Sequence, residues 1–526
     1  MARAASKRAP VKAEVASVRA AFGVGLLLAL AIPRVLRMLY PELWVEDDFY
    51  LEAAWLVHAG MRPYLDFVHP HFPLLEFVSA AWIGIFGASH FSIEILNEAS
   101  IYATSLLTFK LGARAGSRRA ATSAAILYAC SSLVFRYHVY ERECFVAPLI
   151  MLAALLALDD ARPGFQRVGG QIAALTGACL IKLTAGIAVA AILAFVAIAR
   201  RRLREAILIA AGVGLAMILA TVICYILYGR EFLFQVFIFH FMKGRIDFTS
   251  VLAYPLAVLD IQIPLFVIGL IAVRRAAGKT LAIPLTLMII AADYLFYGVL
   301  SPTSWAHNFL EPLPFVAIIG GIGVDRIIEQ ANAQALMPLG ASLAFIIISL
   351  IWIAPLENEN WLQGSVYGFG FVPRAEVSRI GAALREASGA DRDVLAPAFI
   401  CFQANRRELI RFPEEYGVLR EAEAEFAQDG FAATREHLGG ENFFQLLADT
   451  AHFWREPIIE SIRDGKLDAI IPDSSIQLLP LVTPPLLQPP PYPELLVDNG
   501  FKPAAQTDHF VLWKREGTVH ELRPIR

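Results

Sequence analysis

Cysteine and charge are both scarce in this chain. It has 526 residues and five cysteines, of which Cys130, Cys144, Cys179 and Cys224 lie in apolar runs and only Cys401 lies outside them. So few thiols, so placed, exclude a disulfide framework and a cysteine-ligated metal centre. Charged residues make up 18% of the chain, against about 25% in an ordinary soluble domain. Hydrophobic residues reach 57% and the mean hydropathy is +0.55, which implies a membrane protein. Neither GxGxxG nor GxxxxGK[ST] occurs, so the sequence gives no sign of a nucleotide-sugar or ATP site, and no internal repeat is present. There is no basic excess of the kind that binds nucleic acid, since the net charge is −3.

That charge is unevenly divided. Residues 356–526 hold 17 Lys and Arg against 26 Asp and Glu, leaving residues 1–355 net positive. The fold expected is therefore a polytopic α-helical membrane domain over 1–355, followed by a small, water-soluble α/β domain over 356–526. Spanning about 30 Å of hydrocarbon takes roughly 20 apolar residues, fewer for short or buried helices. Eleven runs qualify: 17–39, 92–111, 120–136, 144–159, 169–183, 185–199, 206–228, 253–273, 281–300, 308–325 and 337–355. Arg and Lys accumulate on the cytoplasmic side. The N-terminus, Arg114/Arg118/Arg119, Arg200/Arg201/Arg202/Arg204 and Arg274/Arg275/Lys279 should all lie there. An even number of spans must then separate each pair of these clusters. Two consequences follow: 72–87 lies along the membrane surface, and 169–199 folds as a tight hairpin of two short helices. The loops 40–91, 137–143, 229–252 and 301–307, with the tail from 356, fall on the outer side. Within the tail, 393–400, 467–473 and 509–515 are strand-like, 415–428 is helix-like, and a Pro-rich loop runs from Pro480 to Pro493. The basic first helix has no cleavage pattern, so it is expected to stay uncleaved with the N-terminus cytoplasmic and the tail periplasmic, in a bacterial inner membrane.

The outer loops hold the unusual residues. Glu46-Asp47-Asp48 places three adjacent carboxylates at the mouth of the bundle, where mutual repulsion and partial desolvation raise at least one pKa and suit it to act as a general base. The plain alternative is a solvated loop. After the triplet come Phe49-Tyr50, Gly60, Pro63-Tyr64-Leu65-Asp66-Phe67, His69-Pro70-His71-Phe72-Pro73 and Phe86-Gly87. In order and spacing this series resembles the first external loop of GT-C glycosyltransferases, in the group of protein mannosyltransferases and lipid A sugar transferases. The resemblance is carried by residues 40–115 and is weak in the tail. It implies a polyprenyl-phosphate-linked sugar as donor, a lipid, polysaccharide or protein acceptor, and an acidic residue of this loop as catalytic base. The family's Asp-Glu pair matches Glu46-Asp47 by spacing, with Asp48 one residue further on. Asp47 is the first choice for the base and Asp48 the second; the third carboxylate is left to bind acceptor or a divalent cation. The sequence itself requires no cofactor.

Further candidates for substrate binding follow. Glu141 and Glu143 lie in Tyr137–Glu143, where similar proteins carry an Asp; the plain reading of Glu143 is a local pair with Arg142 at a helix start. Lys182 interrupts an apolar run, at a cost of about 2.5–3.5 kcal/mol if left in hydrocarbon. It therefore faces a polar cavity, where a phosphate would satisfy it, or snorkels from the hairpin tip. His240, Lys243 and Arg245 stand among phenylalanines, a mixture suited to an anionic lipid headgroup or to an interfacial belt. His307 and Asn308 precede Glu311-Pro312, where the resemblance places a His or Lys. Tyr64, Asp66, His69 and His71 complete the set. The rival reading is a transporter or lipid flippase. Against it, the charges cluster in external loops and no Gly/Pro-broken helix pair repeats in two halves.

Overall fold

The computed structural model describes residues 23–36, 38–39, 42–44, 48–131, 140–238, 262–276, 280–301, 306–330, 371–389, 392–409, 456–472, 492–508 and 510–516. A first apolar helix, α1 (Gly23–Leu36), leads to β1 (Glu42–Trp44), α2 (Asp48–His58) and α3 (Leu74–Phe86). Long helices follow: α4 (His90–Ala115), α5 (Arg118–Ala129), α6 (Arg142–Ala157) and α7 (Gly164–Ile181). Next come α8 (Gly186–Ala194), α9 (Leu203–Tyr228) and the single turn α10 (Arg230–Leu233). The bundle is completed by α11 (Gln262–Ala276), α12 (Ala282–Leu295) and α13 (Leu313–Gln330).

Serine caps set several of these starts. Ser89 accepts from the Ser92 N–H before α4, and Ser117 accepts from the Ala120 N–H before α5. The long run 169–199 is broken at Lys182, whose extended backbone (φ −147°, ψ 117°) ends α7 before a short 3-10 turn and α8. Two helices meet there, as the spacing of the basic loops requires.

At 26 residues α9 is about 39 Å long. It leaves Leu215, Ile218, Leu219 and Ile226 at 57–75% exposure. A continuous apolar face of this kind is what lipid covers and water does not. Among the described residues, Leu203–Tyr228 and Ala282–Leu300 are each long and apolar enough alone to cross a bilayer; Gly23–Leu36, Leu74–Phe86 and Leu183–Ala199 are apolar but shorter. The expected run 337–355 lies outside the described residues.

The helices approach closely through small residues. A Cβ on Gly321 of α13 would stand 2.4 Å from the Ala120 carbonyl oxygen and 2.7 Å from the Ala124 nitrogen, both backbone of α5. Gly321→Val should therefore push α13 off α5 and destabilise the fold by about 1–3 kcal/mol. Thermal unfolding in detergent checks this; an unchanged midpoint would show that the contact is slack.

The two ends of the bundle differ in chemistry. At one end Arg114 donates to the Leu155 carbonyl (2.7 Å), the Thr280 hydroxyl donates to the Arg114 carbonyl (2.7 Å), Ser117 and Arg119 hold Asp325, and Arg167 holds Glu205. Asp160 pairs with Arg200 and Arg202 at the same end. Two of the expected basic clusters, Arg114–Arg119 and Arg200–Arg202, thus lie at one end; the N-terminal cluster and Lys279 lie outside the described residues. Glu76, Glu143, Lys182 and Glu311 gather at the other end.

In the tail, β2 (Phe371–Pro373) pairs antiparallel with β1, so the strand just before the acidic triplet is held by residues 371–373. Beyond it lie α14 (Arg374–Ala387), β3 (Asp393–Val394), α15 (Ala398–Ala404), β4 (Arg407–Glu408) and α16 (Glu456–Arg463). Then come β5 (Ala469–Ile470), α17 (Tyr492–Asp498), β6 (Phe501–Gln506) and β7 (Val511–Arg515). β5, β7 and β6 form an antiparallel sheet with β7 central, while β3 and β4 pair in parallel. Val377, Ile380, Leu384, Ile400, Ile471 and Leu512 share a core here. The strand-like reading of 393–400 needs correction. Only 393–394 is strand, because Pro397 opens the helix α15 (Ala398–Ala404), and a short apolar run does not distinguish the two states. The expected helix 415–428 lies outside the described residues. Arg374 pairs with both oxygens of the buried Glu94, and His90 Nε2 donates to the Phe399 carbonyl (3.1 Å), tying α14 and α15 to α4.

Candidate active site

Glu143 occupies the first turn of α6, where the helix dipole favours negative charge. Its Oε1 pairs with Lys182 Nζ, which also donates to Asn308 Oδ1 (3.0 Å) and lies 3.9 Å from Glu311 Oε2. The ring of Tyr297 is 5.0 Å from the ammonium, within cation–π reach. Tyr297 donates to Glu311 Oε2 (2.8 Å), and its oxygen lies 2.8 Å from the Thr184 hydroxyl. His307 stands over the group, with Nδ1 3.8 Å from Glu141 Oε1 and Nε2 3.8 Å from Glu143 Oε1. Four residues before Tyr297 on α12, Asp293 is buried. Glu311 Oε1 and Asp293 Oδ2 are buried without a hydrogen-bond partner, so each has room for a donor from outside the protein. Lys182 does not snorkel. Its side chain is 10% exposed and reaches into this network.

A second network touches the first. Arg142 is wholly buried, donates to Glu76 Oε1 (2.5 Å) and to the Ile181 carbonyl (3.0 Å), and lies 4.5 Å from the Tyr50 ring centre. Ile181 is the residue before Lys182, so the two cations are held by one stretch of backbone. Glu76 Oε2 is 3.3 Å from His69 Nε2. Burial pushes the Glu76 carboxyl up, but Arg142 and then His69 pull it further down, to about 2, so it stays ionised. Gln235 closes the network: its Oε1 accepts from the His69 N–H (2.9 Å), and its Nε2 donates to the Tyr64 carbonyl (3.0 Å). Tyr64, in the left-handed region at φ 67°, donates through its hydroxyl to the His71 carbonyl (2.5 Å) and packs on Tyr228 and Phe232.

The structure therefore brings together Glu141, Glu143, Lys182 and His307 of the expected set. Glu46 and Asp47 lie outside the described residues, as do Lys243 and Arg245. Asp48 opens α2, and Tyr50 two residues later rests against Arg142, so the start of that helix is at the second network. Asp66 pairs with Arg62 four residues earlier (3.0 Å), its side chain 28% exposed. Tyr64 and His71 support the loop, and His71 keeps partial exposure with its ring 6.0 Å from that of Tyr50. The weaker candidate His69 is the buried one. The local Arg142–Glu143 pair is also corrected, since Arg142 reaches Glu76 instead.

Glu76, Asp293, Tyr297 and Gln235 were not anticipated. Glu76 and Asp293 did leave a signal, each being a lone carboxylate in an apolar helix, where ionisation requires a partner. Glu141, Glu143 and His307 each offer a ligand atom, all within 4.8 Å of one another. Two carboxylates and an imidazole fit a divalent cation by donor chemistry.

Residues 68–226 match the family model of the dolichyl-phosphate-mannose-protein mannosyltransferases. In fold, the chain is similar to ArnT from Cupriavidus metallidurans bound to undecaprenyl phosphate. The TM-score is 0.64 at 12% identity, over 96% of this chain and 99% of that one. Against ArnT in the apo state the TM-score is 0.60 at 13% identity, over 96% and 100%. No curated protein matches the chain in sequence. The resemblance to the GT-C glycosyltransferases therefore stands on a matched segment and on the fold, and the segment 68–226 contains Glu76, Arg142, Glu143 and Lys182.

Proposed function

We propose, for a chain with the GT-C fold, that it transfers a sugar from a polyprenyl-phosphate donor to an acceptor hydroxyl of a lipid, polysaccharide or protein. The reaction takes place at the end of the bundle that holds Lys182 and Arg142. That end faces the periplasm of a bacterial inner membrane, with the N-terminus and the basic loops cytoplasmic. Eleven spans and a periplasmic tail domain complete the arrangement. The observation that carries the reading is the pair of buried cations, Lys182 and Arg142, the second bonded to the carbonyl of the residue before the first and touched by Tyr50 of the helix that opens at Asp48.

The chemistry follows from the charges. A lipid-linked donor needs no nucleotide pocket, only a cationic place for its phosphate at membrane depth. Lys182 carries three N–H donors, of which Glu143 and Asn308 engage two, which leaves one for a phosphate oxygen. The acceptor oxygen attacks the anomeric carbon and its proton passes to a carboxylate of 46–48. The bond from that carbon to the phosphate breaks, and polyprenyl phosphate leaves with the electron pair, its charge held by Lys182. Direct displacement inverts the anomeric centre. Glu141, Glu143 and His307 would hold a divalent cation, which supplies further positive charge beside the phosphate.

Purified protein in detergent, given labelled polyprenyl-phosphate sugar and an envelope extract as acceptor, should release polyprenyl phosphate. A transporter would be inert without a bilayer, and no release would contradict the proposal. Lys182→Met should lower turnover by about 10²-fold, read per folded molecule, because the variant also leaves the buried Glu143 without its counter-charge. Undiminished turnover in that variant would remove Lys182 from the site.

A further inference from the structure

We propose that the basic end of the bundle carries a site for the headgroup of an anionic phospholipid, separate from the site at the other end. A cavity of about 330 Å³ opens there between the ends of α4 and α6. Lys110, Arg114, Arg118 and Arg162 line it, against a single carboxylate, Asp159. Asp159 is already paired with Arg162, whose Nε lies 2.8 Å from its Oδ2, so the lining keeps a net positive charge. Arg114 is fixed by its bond to the Leu155 carbonyl, which ties the two helix ends together and gives the cavity a set shape. Lys110 and Arg118 are exposed, so a phosphodiester can reach them from outside the bundle.

The remaining walls select a lipid over a free anion. Leu107, Leu152 and Leu156 continue the cavity along the helices, and Leu152 is 40% exposed on the outer surface of α6. Cations at one level with apolar surface directly above match a phosphodiester joined to acyl chains, the arrangement in which basic pockets between membrane helices bind lipid headgroups. Inorganic phosphate would meet the cations and leave the apolar wall unused.

Full-length protein in a neutral detergent, titrated with phosphatidylglycerol, phosphatidylcholine or inorganic phosphate, tests this by native mass spectrometry and thermal unfolding. Phosphatidylglycerol should give one retained adduct and a higher unfolding temperature, phosphatidylcholine and phosphate neither. Lys110→Gln with Arg118→Gln should weaken phosphatidylglycerol binding by about tenfold or more, each cation near an anionic surface being worth a severalfold factor. If that double variant folds poorly, Arg162→Gln, at an exposed position, should weaken binding in the same direction. Equal binding of the neutral lipid, equal stabilisation by phosphate, or unchanged affinity in both variants would overturn the proposal. Donor turnover is read separately, so that failure here leaves the reading of the other end untouched.

Discussion

Asp47→Asn combined with Asp48→Asn should leave a folded protein whose sugar transfer falls by about 10²–10⁴-fold, the usual contribution of a general base. The substitutions keep shape and remove only the ability to take a proton. The expectation rests on where the triplet is tethered. β1 ends at Trp44, two residues before it, and is paired with Phe371–Pro373. α2 begins at Asp48 and sets Tyr50 against Arg142. The described chain on either side of the triplet is thus fixed, before it by the β1–β2 pair and after it by the contact of Tyr50 with Arg142. The single variants identify the base. Asp47→Asn should cost most; a larger loss in Asp48→Asn would make the second choice the base, and Glu46→Gln should act chiefly on acceptor binding. Full activity in the double variant, measured as polyprenyl phosphate released, would place the base elsewhere.

The second large effect is on stability. Arg142→Met should destabilise the protein by about 3–5 kcal/mol, since it leaves a buried carboxylate without its principal counter-charge. Glu76 is fully buried, and Arg142 does most to hold its carboxyl down against the upward push of burial, ahead of His69 and a backbone hydrogen bond. Without Arg142 the carboxyl must take a proton or draw in water, and the Ile181 carbonyl loses its donor as well. A second substitution decides the cause. Glu76→Gln added to Arg142→Met should restore part of the lost stability, because the neutral amide has no charge to desolvate. Additive losses in the double variant, read from unfolding in detergent, would mean that the two side chains do not act as a pair.

The sequence showed some of this arrangement and concealed the rest for physical reasons. The helices that cross the bundle were legible because long apolar runs have few other uses. The break at Lys182 was legible because the basic clusters at Arg114 and Arg200 demanded an even number of crossings between them. Lys182 and Glu143 stood out as ions in apolar surroundings, and the structure joins them. The Arg142–Glu76 pair spans 66 positions and the Gln235–His69 bond 166, and such distant pairings leave no periodic trace. Asp66 shows the opposite case. Its ion partner is Arg62, only four residues earlier, a pairing that local spacing makes visible. Glu94 and Arg374, 280 residues apart, could be matched only once the tail was folded against α4.

Photo-crosslinking tests the account most directly. A polyprenyl phosphate carrying a photoreactive group beside its phosphate would be activated on purified protein and the adducts mapped by residue. The account predicts labelling within 50–76, 140–143, 180–184, 228–238, 293–301 and 306–311, the segments that hold the residues of the two networks, with labelling reduced in Lys182→Met. Adducts confined to the basic end, within 107–118 and 152–162, or spread over the tail beyond 374 and indifferent to Lys182, would contradict it.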